Sequence, residues 1–401
     1  EGSSMDERKE FDRVACALLV CLVERTDSMA DLPAKMRAAH YHRHGAPSLI
    51  SLEKLPLPPT PGPRQLLVKV FYAALNPADY KSAGGEQAAL LSFKWPRVYG
   101  FDFSGVVVSA SPDCQLFTPG EEVCGMIAGL PQLNRGTLAE YVLVEEWVCA
   151  KKPQNIPHKE CASIPLVGIT AIKMFRACNA ENRKSPRVLI TGGAGGVGTI
   201  AIQLAKALFN ASYVATTASA GKKTDLCASL GADRVVNYRE EKFYEVLGSE
   251  NEDELFDMIL DCTGEASYAT SLLRKNGGLC SILYGATAKG VRDWLEESRI
   301  SPDDITFGVR AFLMSGWGGS LFECFGGGRS LIAACKHRDA TYSMIIGTGN
   351  GKDMGILAQL LEERKIRAVI DKEFQLEDAR DAVEYLAQGR CAGKVVVNIV
   401  N

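Results

Sequence analysis

Two patterns of hydrophobic and polar positions divide the chain. Residues 36–164 carry short runs in which apolar and polar residues alternate, such as "QLLVKVFYAAL" at 65–75, separated by Pro and Gly. Alternation with a period of two indicates half-buried β-strands. From residue 165 onward, helical stretches alternate with short apolar runs such as "RVLIT" at 187–191. That rhythm is typical of a doubly wound parallel sheet, so the sequence predicts an α/β fold with a β-rich part and a β-α-β part.

Composition and charge narrow the class of protein. The chain has 401 residues, of which 46% are hydrophobic and 23% charged, and its net charge is −3. These values fit two globular domains and give no reason to expect a nucleic acid or an anionic membrane as partner. The 13 cysteines include no C-x-x-C pair. We therefore expect reduced thiols in the cytosol, with the mitochondrion as the alternative compartment.

The N-terminal 35 residues are predicted to be an extension. Their apolar run, "VACALLVCLV" at 14–23, is too short to span a bilayer, and acids and bases are mixed on both of its flanks. A signal peptide or a transit peptide would avoid this mixture of charges.

A glycine loop follows the strand-like run at 188–190. Gly193, Gly195 and Gly198 fit the G-x-G-x-x-G spacing, with good helix formers after them. Glycine lets the backbone approach a pyrophosphate closely, and the helix N-terminus offers free N–H groups. A flexible glycine-rich turn is the alternative, but it would not require a strand before the loop and a helix after it. The dinucleotide-binding residues predicted here are Gly193, Ala194, Gly195, Gly196, Val197 and Gly198.

The residues after this loop favour NADPH. An NAD site places Asp or Glu about 20 residues further on, against the ribose hydroxyls. No acid follows Gly198 before Asp225, and the expected position falls in "VATTASAGKK". Ser219 with Lys222 or Lys223 would bind and neutralise a 2′-phosphate. The alternative is that both lysines are ordinary solvated charges at the start of the next helix.

A set of short motifs, taken in order, carries a resemblance to a known family. The motifs are "NPADYKSAGG", "GFDFSGVV", "PGEEVCG", "GTLAEYVLV", "PLVGITA", the glycine loop, "LGADRVVNY" and "GRCAGKVVV". Together they resemble the quinone-oxidoreductase (zeta-crystallin-like) branch of the zinc-independent medium-chain dehydrogenases/reductases. The mitochondrial reticulon-interacting oxidoreductases are a similar sub-branch.

The resemblance implies a domain organisation. A GroES-like β-barrel catalytic domain would comprise residues 36–164 and 343–401. A Rossmann domain at 165–342, with an irregular insert at 286–342, would interrupt it. The active-site cleft would lie between the two domains. Family resemblance also implies a homodimer, for which the apolar run "GGLCSIL" at 277–283 is expected to form an edge of the Rossmann sheet.

The same resemblance assigns residues to the site. It places Tyr238 near the 2′-phosphate, Thr170 of "PLVGITA" at the cofactor, and Asn76 near the nicotinamide. Tyr80 and Lys81 follow in the same loop and are candidate donors to a carbonyl oxygen. The alternatives are that Tyr80 is a wall residue and Lys81 a surface cation.

Metal ligands are missing where zinc-dependent relatives carry them. Asn76 stands in place of their Cys, and Phe101 stands in place of the His of their G-H-E motif. The sequence therefore predicts no functional metal. Three histidines in "HYHRH" at 40–44 are expected on a surface turn that forms a solvated start to the first strand, and the alternative is adventitious metal binding.

These observations predict a reaction. Without a metal to polarise a simple ketone, hydride is expected to pass from NADPH to a quinone or to the C=C bond of an α,β-unsaturated carbonyl compound. The substrate is thus a small molecule. The alternative is a non-catalytic or weakly catalytic NADPH-binding subunit of a larger assembly.

Overall fold

The computed structural model describes residues 32–85, 95–127, 135–282, 328–345 and 347–400. Most of the predicted N-terminal extension and most of the predicted insert at 286–342 lie outside these residues. Among the residues described, no helix is both long enough and apolar enough to cross a membrane.

The first part of the chain forms a β-barrel. Its strands are β1 (Lys35–Tyr41), β2 (Ser51–Pro56), β3 (Gln65–Leu75), β4 (Arg97–Val98), β5 (Asp102–Ala110), β6 (Glu122–Met126), β7 (Tyr141–Glu145) and β8 (Cys149–Lys151), with helices α1 (Pro77–Gly84) and α2 (His158–Ala162). The predicted alternating stretch at 65–75 coincides with β3, which pairs antiparallel with β5 and β7. Alternate residues of β3, including Leu66, Val68 and Val70, are buried in the barrel core.

A parallel sheet follows. Its elements in chain order are α3 (Pro165–Ala177), β9 (Arg187–Ile190), α4 (Gly196–Ala207), β10 (Tyr213–Ala218), α5 (Lys222–Ser229), β11 (Arg234–Asn237), α6 (Phe243–Val246), β12 (Phe256–Asp261), α7 (Ala266–Ala269), β13 (Leu273–Ser281), α8 (Gly328–Lys336) and β14 (Thr341–Met344). The strand order is β11-β10-β9-β12-β13-β14, and every pairing is parallel. This is the Rossmann order, so the predicted α/β fold class is confirmed. Such sheets bind ligands where the strand order reverses, here beside the carboxyl ends of β9 and β12.

The expectation for the edge of this sheet is wrong. The run "GGLCSIL" begins within β13, and β13 pairs with β12 on one side and β14 on the other. Its apolar residues Leu279 and Cys280 are buried because the strand is internal. Since β14 spans residue 343, we propose to place the end of the Rossmann domain after Met344.

The C-terminal part returns to the barrel through α9 (Gly351–Glu362), β15 (Ile370–Gln375), α10 (Ala379–Ala387) and β16 (Lys394–Asn398). β16 lies between β15 and β3, and Val395 pairs with Leu75. The first and last parts of the chain therefore share one sheet.

The expected surface turn at the histidines is wrong for His40. His40 lies inside β1 and is fully buried, whereas His42 follows the strand and is exposed. The reason is that the end of β1 is covered on both faces, because the neighbouring residues Ala39 and Tyr41 are buried as well as Ala38.

Candidate functional site

The glycine loop is a tight turn packed against strand β10. The backbone N–H of Gly192 donates to Thr217 Oγ1 at 2.8 Å, and that of Gly193 donates to Thr217 O at 2.9 Å. A Cβ on Gly193 would lie 2.2 Å from Thr216 Oγ1, and one on Gly198 would lie 2.3 Å from the carbonyl oxygen of Gly192. These two glycines are required because the protein's own atoms leave no room for a side chain.

Gly195 differs from these two glycines. Only the carbonyl oxygen of Gly192, at 3.3 Å, lies near the position of an added Cβ. Gly195 is the N-cap of α4, whose first N–H groups, at residues 196–198, have no partner within the helix. A bare backbone at a helix N-terminus fits a pyrophosphate. The loop therefore fits the dinucleotide that the sequence predicts.

Three residues predicted at the 2′-phosphate lie at one edge of the sheet. β10 ends at Ala218 beside Asn237 of β11, and the backbone N–H of Tyr238 donates to Ala218 O at 3.3 Å. Ser219 follows Ala218 and is half-buried, while Lys222 is exposed at the first position of α5. The Tyr238 side chain is 52% exposed. This edge offers hydroxyl and ammonium groups and no carboxylate along residues 199–224.

Lys223 is engaged elsewhere. Its Nζ donates to Arg390 O at 2.8 Å and to Cys391 O at 3.3 Å. The lysine therefore holds the loop that leads into β16.

Thr170 is buried on α3, at the contact between this helix and the segment after β14. A Cβ on Gly347 would lie 2.7 Å from Thr170 Oγ1, and Lys173 Nζ donates to Thr348 Oγ1 at 2.5 Å. The residue lies on the helix that packs against α4, which the glycine loop begins.

Asn76 is part of a buried polar group that the barrel sheet assembles. Asn76 Nδ2 donates to Asp102 Oδ2 at 2.9 Å, and Lys394 Nζ donates to Asn76 Oδ1 at 2.5 Å and to Asp102 Oδ2 at 3.0 Å. All three residues are at most 4% exposed. We call Asn76, Asp102 and Lys394 the barrel cluster. In these contacts each nitrogen atom donates a hydrogen bond to an oxygen atom, and each oxygen atom accepts one from a nitrogen atom.

Asp102 is held from a third side as well. Its Oδ1 accepts the backbone N–H of Leu166 at 2.9 Å, in the first turn of α3, where the helix dipole favours a negative charge. Burial raises the pKa of Asp102, whereas Lys394 and the hydrogen bond from Asn76 lower it. The ammonium of Lys394 is thus the cation that compensates this carboxylate.

The barrel cluster lies directly beside the glycine loop. The backbone N–H of Gly393 donates to Ala194 O at 2.8 Å, and a Cβ on Gly196 would lie 3.2 Å from Lys394 Cδ. The first residues of β16 therefore connect the cofactor loop to Asn76. This junction brings the predicted nicotinamide residue and the predicted phosphate loop to one cleft.

Asp79 and Tyr80 follow Asn76 on α1. Asp79 Oδ2 accepts the backbone N–H of Asn76 at 2.6 Å, which closes a capping box and fixes the start of the helix. Burial raises the pKa of Asp79 to about 8. Tyr80 is half-buried and packs against the barrel core, and Lys81 is half-buried one position further on.

Sequence reasoning missed two members of the cluster. They are Asp102, which stands in the motif "GFDFSGVV", and Lys394, which stands in "GRCAGKVVV". The signal for Lys394 is a cation at the first position of an apolar strand, where it is 4% exposed. A buried lysine requires an anionic partner, but the sequence alone does not identify that partner.

Comparisons with known proteins agree with this architecture. Residues 62–154 match the alcohol dehydrogenase GroES-like domain, and residues 230–397 match the zinc-binding dehydrogenase family. The chain is 32% identical to the 2-methylene-furan-3-one reductase of Solanum lycopersicum, over 96% of this chain and 84% of that protein. It is 30% identical to the mitochondrial NAD(P)H oxidoreductase RTN4IP1 of Mus musculus, over 84% of this chain and 82% of that protein.

A solved structure supports the same assignment. The quinone oxidoreductase from Coxiella burnetii matches with a TM-score of 0.71 and 26% identity, covering 91% of this chain and all of that one. The chain therefore belongs to the quinone-oxidoreductase branch of the medium-chain dehydrogenase/reductase superfamily, and it is an oxidoreductase. The predicted family, the GroES-like domain and the Rossmann domain are confirmed.

The residues of the cleft do not fit the zinc in the second family's description. A catalytic zinc ion needs Cys, His or carboxylate ligands around an open position. Here the amide oxygen of Asn76 and the carboxylate of Asp102 both accept hydrogen bonds from the Lys394 ammonium. In the part of the chain that the structure describes, three potential metal ligands converge only at His40, His42 and Glu53, which share no residue with this cleft.

Proposed function

We propose that this protein is an NADPH-dependent reductase that transfers hydride, without a metal, to a quinone or to the C=C bond of an α,β-unsaturated carbonyl compound. The observation that carries the proposal is the barrel cluster beside the glycine loop, where the Lys394 ammonium already occupies the two oxygen atoms that a metal ion would need as ligands. The relatives named as an enone reductase and a quinone oxidoreductase support the same substrate classes.

NADPH is proposed over NADH because of the edge formed by β10 and β11. Ser219, Lys222 and Tyr238 offer donors and a positive charge there, and no carboxylate would repel a 2′-phosphate. The murine relative is named as an NAD(P)H oxidoreductase. When bound, NADPH supplies the hydride.

The protein's own residues orient the Asn76 amide beside the glycine loop. Lys394 Nζ donates to the amide oxygen of Asn76, and Asp102 Oδ2 accepts from the amide nitrogen, so the amide is held in one orientation. The cluster thus keeps the amide dipole of Asn76 fixed beside the glycine loop, in a site that needs no reorganisation. A conjugated acceptor requires little further stabilisation by the protein, because hydride addition spreads the negative charge onto its distant oxygen.

Tyr80 and Lys81 are proposed as the candidate donors to that oxygen. Replacing a single well-placed donor costs about 10²–10³-fold in turnover. Tyr80→Phe and Lys81→Ala therefore separate a donor from a wall residue or a surface cation, provided that NADPH affinity is measured in parallel.

The main experiment is a screen of NADPH oxidation over quinones, enals and enones. Saturated ketones and simple alcohols serve as controls, and each assay is repeated after treatment with a chelator. We expect turnover with conjugated acceptors only and no loss after chelation. Rapid NADP⁺-dependent oxidation of simple alcohols would contradict the proposal, while NADPH binding without any hydride transfer would favour the non-catalytic subunit.

A homodimer is also proposed. Among the described strands, β14 has a sheet neighbour on one side only, and paired edges avoid exposed backbone groups. A mass equal to one chain, measured by light scattering at micromolar concentration, would contradict this proposal.

The proposed compartment is the cytosol, with the mitochondrion as the alternative. All ten cysteines that the structure describes are free thiols, as a reducing compartment requires. Fractionation of cells that express the full chain separates the two locations.

A further inference from the structure

Two histidines and a glutamate converge where the first hairpin of the barrel ends. His40 lies near the end of β1 and His42 directly follows the strand, and their ring centroids lie 4.7 Å apart. Glu53 lies on β2, where it pairs with Ala38 and is diagonal to His40. One ligand atom from each of the three residues lies within 4.8 Å of the other two. The strand pairing therefore brings two imidazoles and one carboxylate together.

His40 is the unusual member of this group. Its side chain is fully buried, and neither ring nitrogen has a hydrogen-bond partner among the described residues. The nearest acid is Glu53, whose Oε2 lies 3.4 Å from Nε2. A buried polar group without a hydrogen bond is costly, and such exceptions in folded proteins call for an explanation such as a bound ion.

The other two members leave the site open to solvent. The Glu53 side chain is 53% exposed, and His42 is exposed. An ion can therefore enter from outside and keep a coordination position for water. Two imidazole nitrogens and one carboxylate oxygen form a ligand set that zinc uses in proteins.

We propose that His40, His42 and Glu53 bind a divalent transition-metal ion, with Zn²⁺ as the occupant. The ion satisfies Nε2 of His40 and joins the end of β1 to β2. The site contains no residue of the cofactor cleft, so it is distinct from the metal-free hydride site proposed above.

The site also adjoins the support of α1. Gly45 donates its backbone N–H to Ala83 O at 3.0 Å, and the ring Nδ1 of His44 lies 3.2 Å from the same oxygen. An ion held by His42 therefore fixes the segment on which the C-terminal end of α1 rests. We expect bound Zn²⁺ to stabilise the barrel.

The test uses the full chain after removal of metals by a chelator. Titration with ZnCl₂ is followed by calorimetry, and Tm is measured with and without the ion. The variants are His42→Ala and Glu53→Gln, which change exposed side chains and leave buried His40 in place. His337→Ala is the matched control, because His337 is exposed on the turn after α8 and outside the cluster.

We expect the wild-type protein and His337→Ala to bind one Zn²⁺ that raises Tm by about 2–4 °C. Both cluster variants should bind that ion roughly 10–100-fold more weakly and lose the shift in Tm. The proposal is overturned if the wild-type protein binds no Zn²⁺, or if the cluster variants bind the same number of ions with the same affinity.

Cobalt separates this site from the cysteines. Co²⁺ bound to imidazole and carboxylate ligands lacks the intense thiolate-to-metal charge-transfer absorption. A weak visible spectrum that is lost in His42→Ala is the expected result. A charge-transfer band that persists in His42→Ala would assign the ion to cysteines and overturn the proposal.

Discussion

The glycine loop and the barrel cluster lie next to each other, but the loop depends on the absence of side chains and the cluster depends on buried polar side chains. The loop depends on the absence of side chains, because neighbouring atoms lie within 2.3 Å of the position that a Cβ on Gly193 or Gly198 would occupy. It contains no charged residue and offers backbone N–H groups. The barrel cluster consists of polar side chains that are at most 4% exposed, and two of them, Asp102 and Lys394, carry opposite charges. Its charges are already compensated by one another.

The two regions therefore tolerate change differently. An added methyl group in the loop acts through steric overlap, and its cost depends on which atoms it meets. Removing one charge from the cluster acts through the partner that stays behind. A buried ion pair often contributes little in itself, yet breaking it leaves an uncompensated charge that is strongly unfavourable.

The largest effect is expected for Lys394→Met. The substitution keeps most of the side-chain volume but leaves Asp102 buried without its cation, so the free energy of unfolding should fall by about 3–5 kcal/mol. Urea denaturation at neutral pH measures this change.

The double variant Lys394→Met/Asp102→Leu is the control for that prediction. Because it removes both charges, it should recover much of the stability lost in the single variant. A double variant that is less stable than Lys394→Met would show that the cluster is not governed by charge compensation.

A second prediction contrasts two glycines of the loop. Gly195→Ala should lower NADPH affinity about 10–100-fold with little change in Tm, because its Cβ would meet only Gly192 O, at 3.3 Å, and would lie at the helix N-terminus where the pyrophosphate is expected to bind. Gly198→Ala should lower Tm as well, since its Cβ would meet the same oxygen at 2.3 Å. Equal losses of Tm in both variants would remove the distinction between a packing glycine and a binding glycine.

A third prediction concerns Asp79, which connects α1 to the cluster. Burial raises the pKa of this carboxyl group from its ordinary value of 3.8 to about 8. Between these values the folded protein holds one proton more than the unfolded chain, so this group makes stability fall as pH rises from about 4 to about 8. The slope is at most about 1.4 kcal/mol per pH unit.

Asp79→Asn tests the sign of this effect. The variant keeps an oxygen for the Asn76 backbone N–H but cannot ionise. The stability difference between wild-type protein and variant, from urea denaturation at several pH values, should shift in favour of the variant as pH rises. A difference that is independent of pH would contradict the prediction.

The smallest effect is expected at the two lysines of α5. Lys222→Ala should weaken NADPH binding about tenfold and leave NADH binding unchanged, because only NADPH carries the additional phosphate. Lys223→Ala, whose ammonium binds backbone carbonyl groups at 390 and 391, should affect both cofactors alike. Fluorescence titration with each cofactor separates the two lysines.

Features formed by contiguous residues could be predicted from the sequence, whereas features formed by residues far apart in the chain could not. The glycine loop, its strand and its helix are contiguous, so their spacing alone defined a phosphate site. The barrel cluster joins residues 76, 102 and 394, which only the return of β16 to β3 brings together. No periodicity links positions 318 residues apart, so Lys394 was missed although its motif was noticed.

His40 and the "GGLCSIL" run were misplaced for a related reason. A histidine-rich segment suggests a surface, but His40 belongs to the end of β1, which is buried on both faces. The apolar run suggested a sheet edge that would pair with a second copy of the chain. In the structure, β14, from a later part of the chain, pairs with β13 instead. In both cases a tertiary neighbour decided the outcome.

The position of β16 has a consequence for biosynthesis. Its residues complete the barrel sheet between β15 and β3, although β3 leaves the ribosome more than three hundred residues earlier. The nucleotide-binding sheet is formed from one continuous stretch of chain, so it can fold while translation continues. The barrel sheet, in contrast, must wait with the end of β3 at residues 72–75 lacking its neighbour on one side until β16 has been synthesised, and during that interval it depends on protection from aggregation.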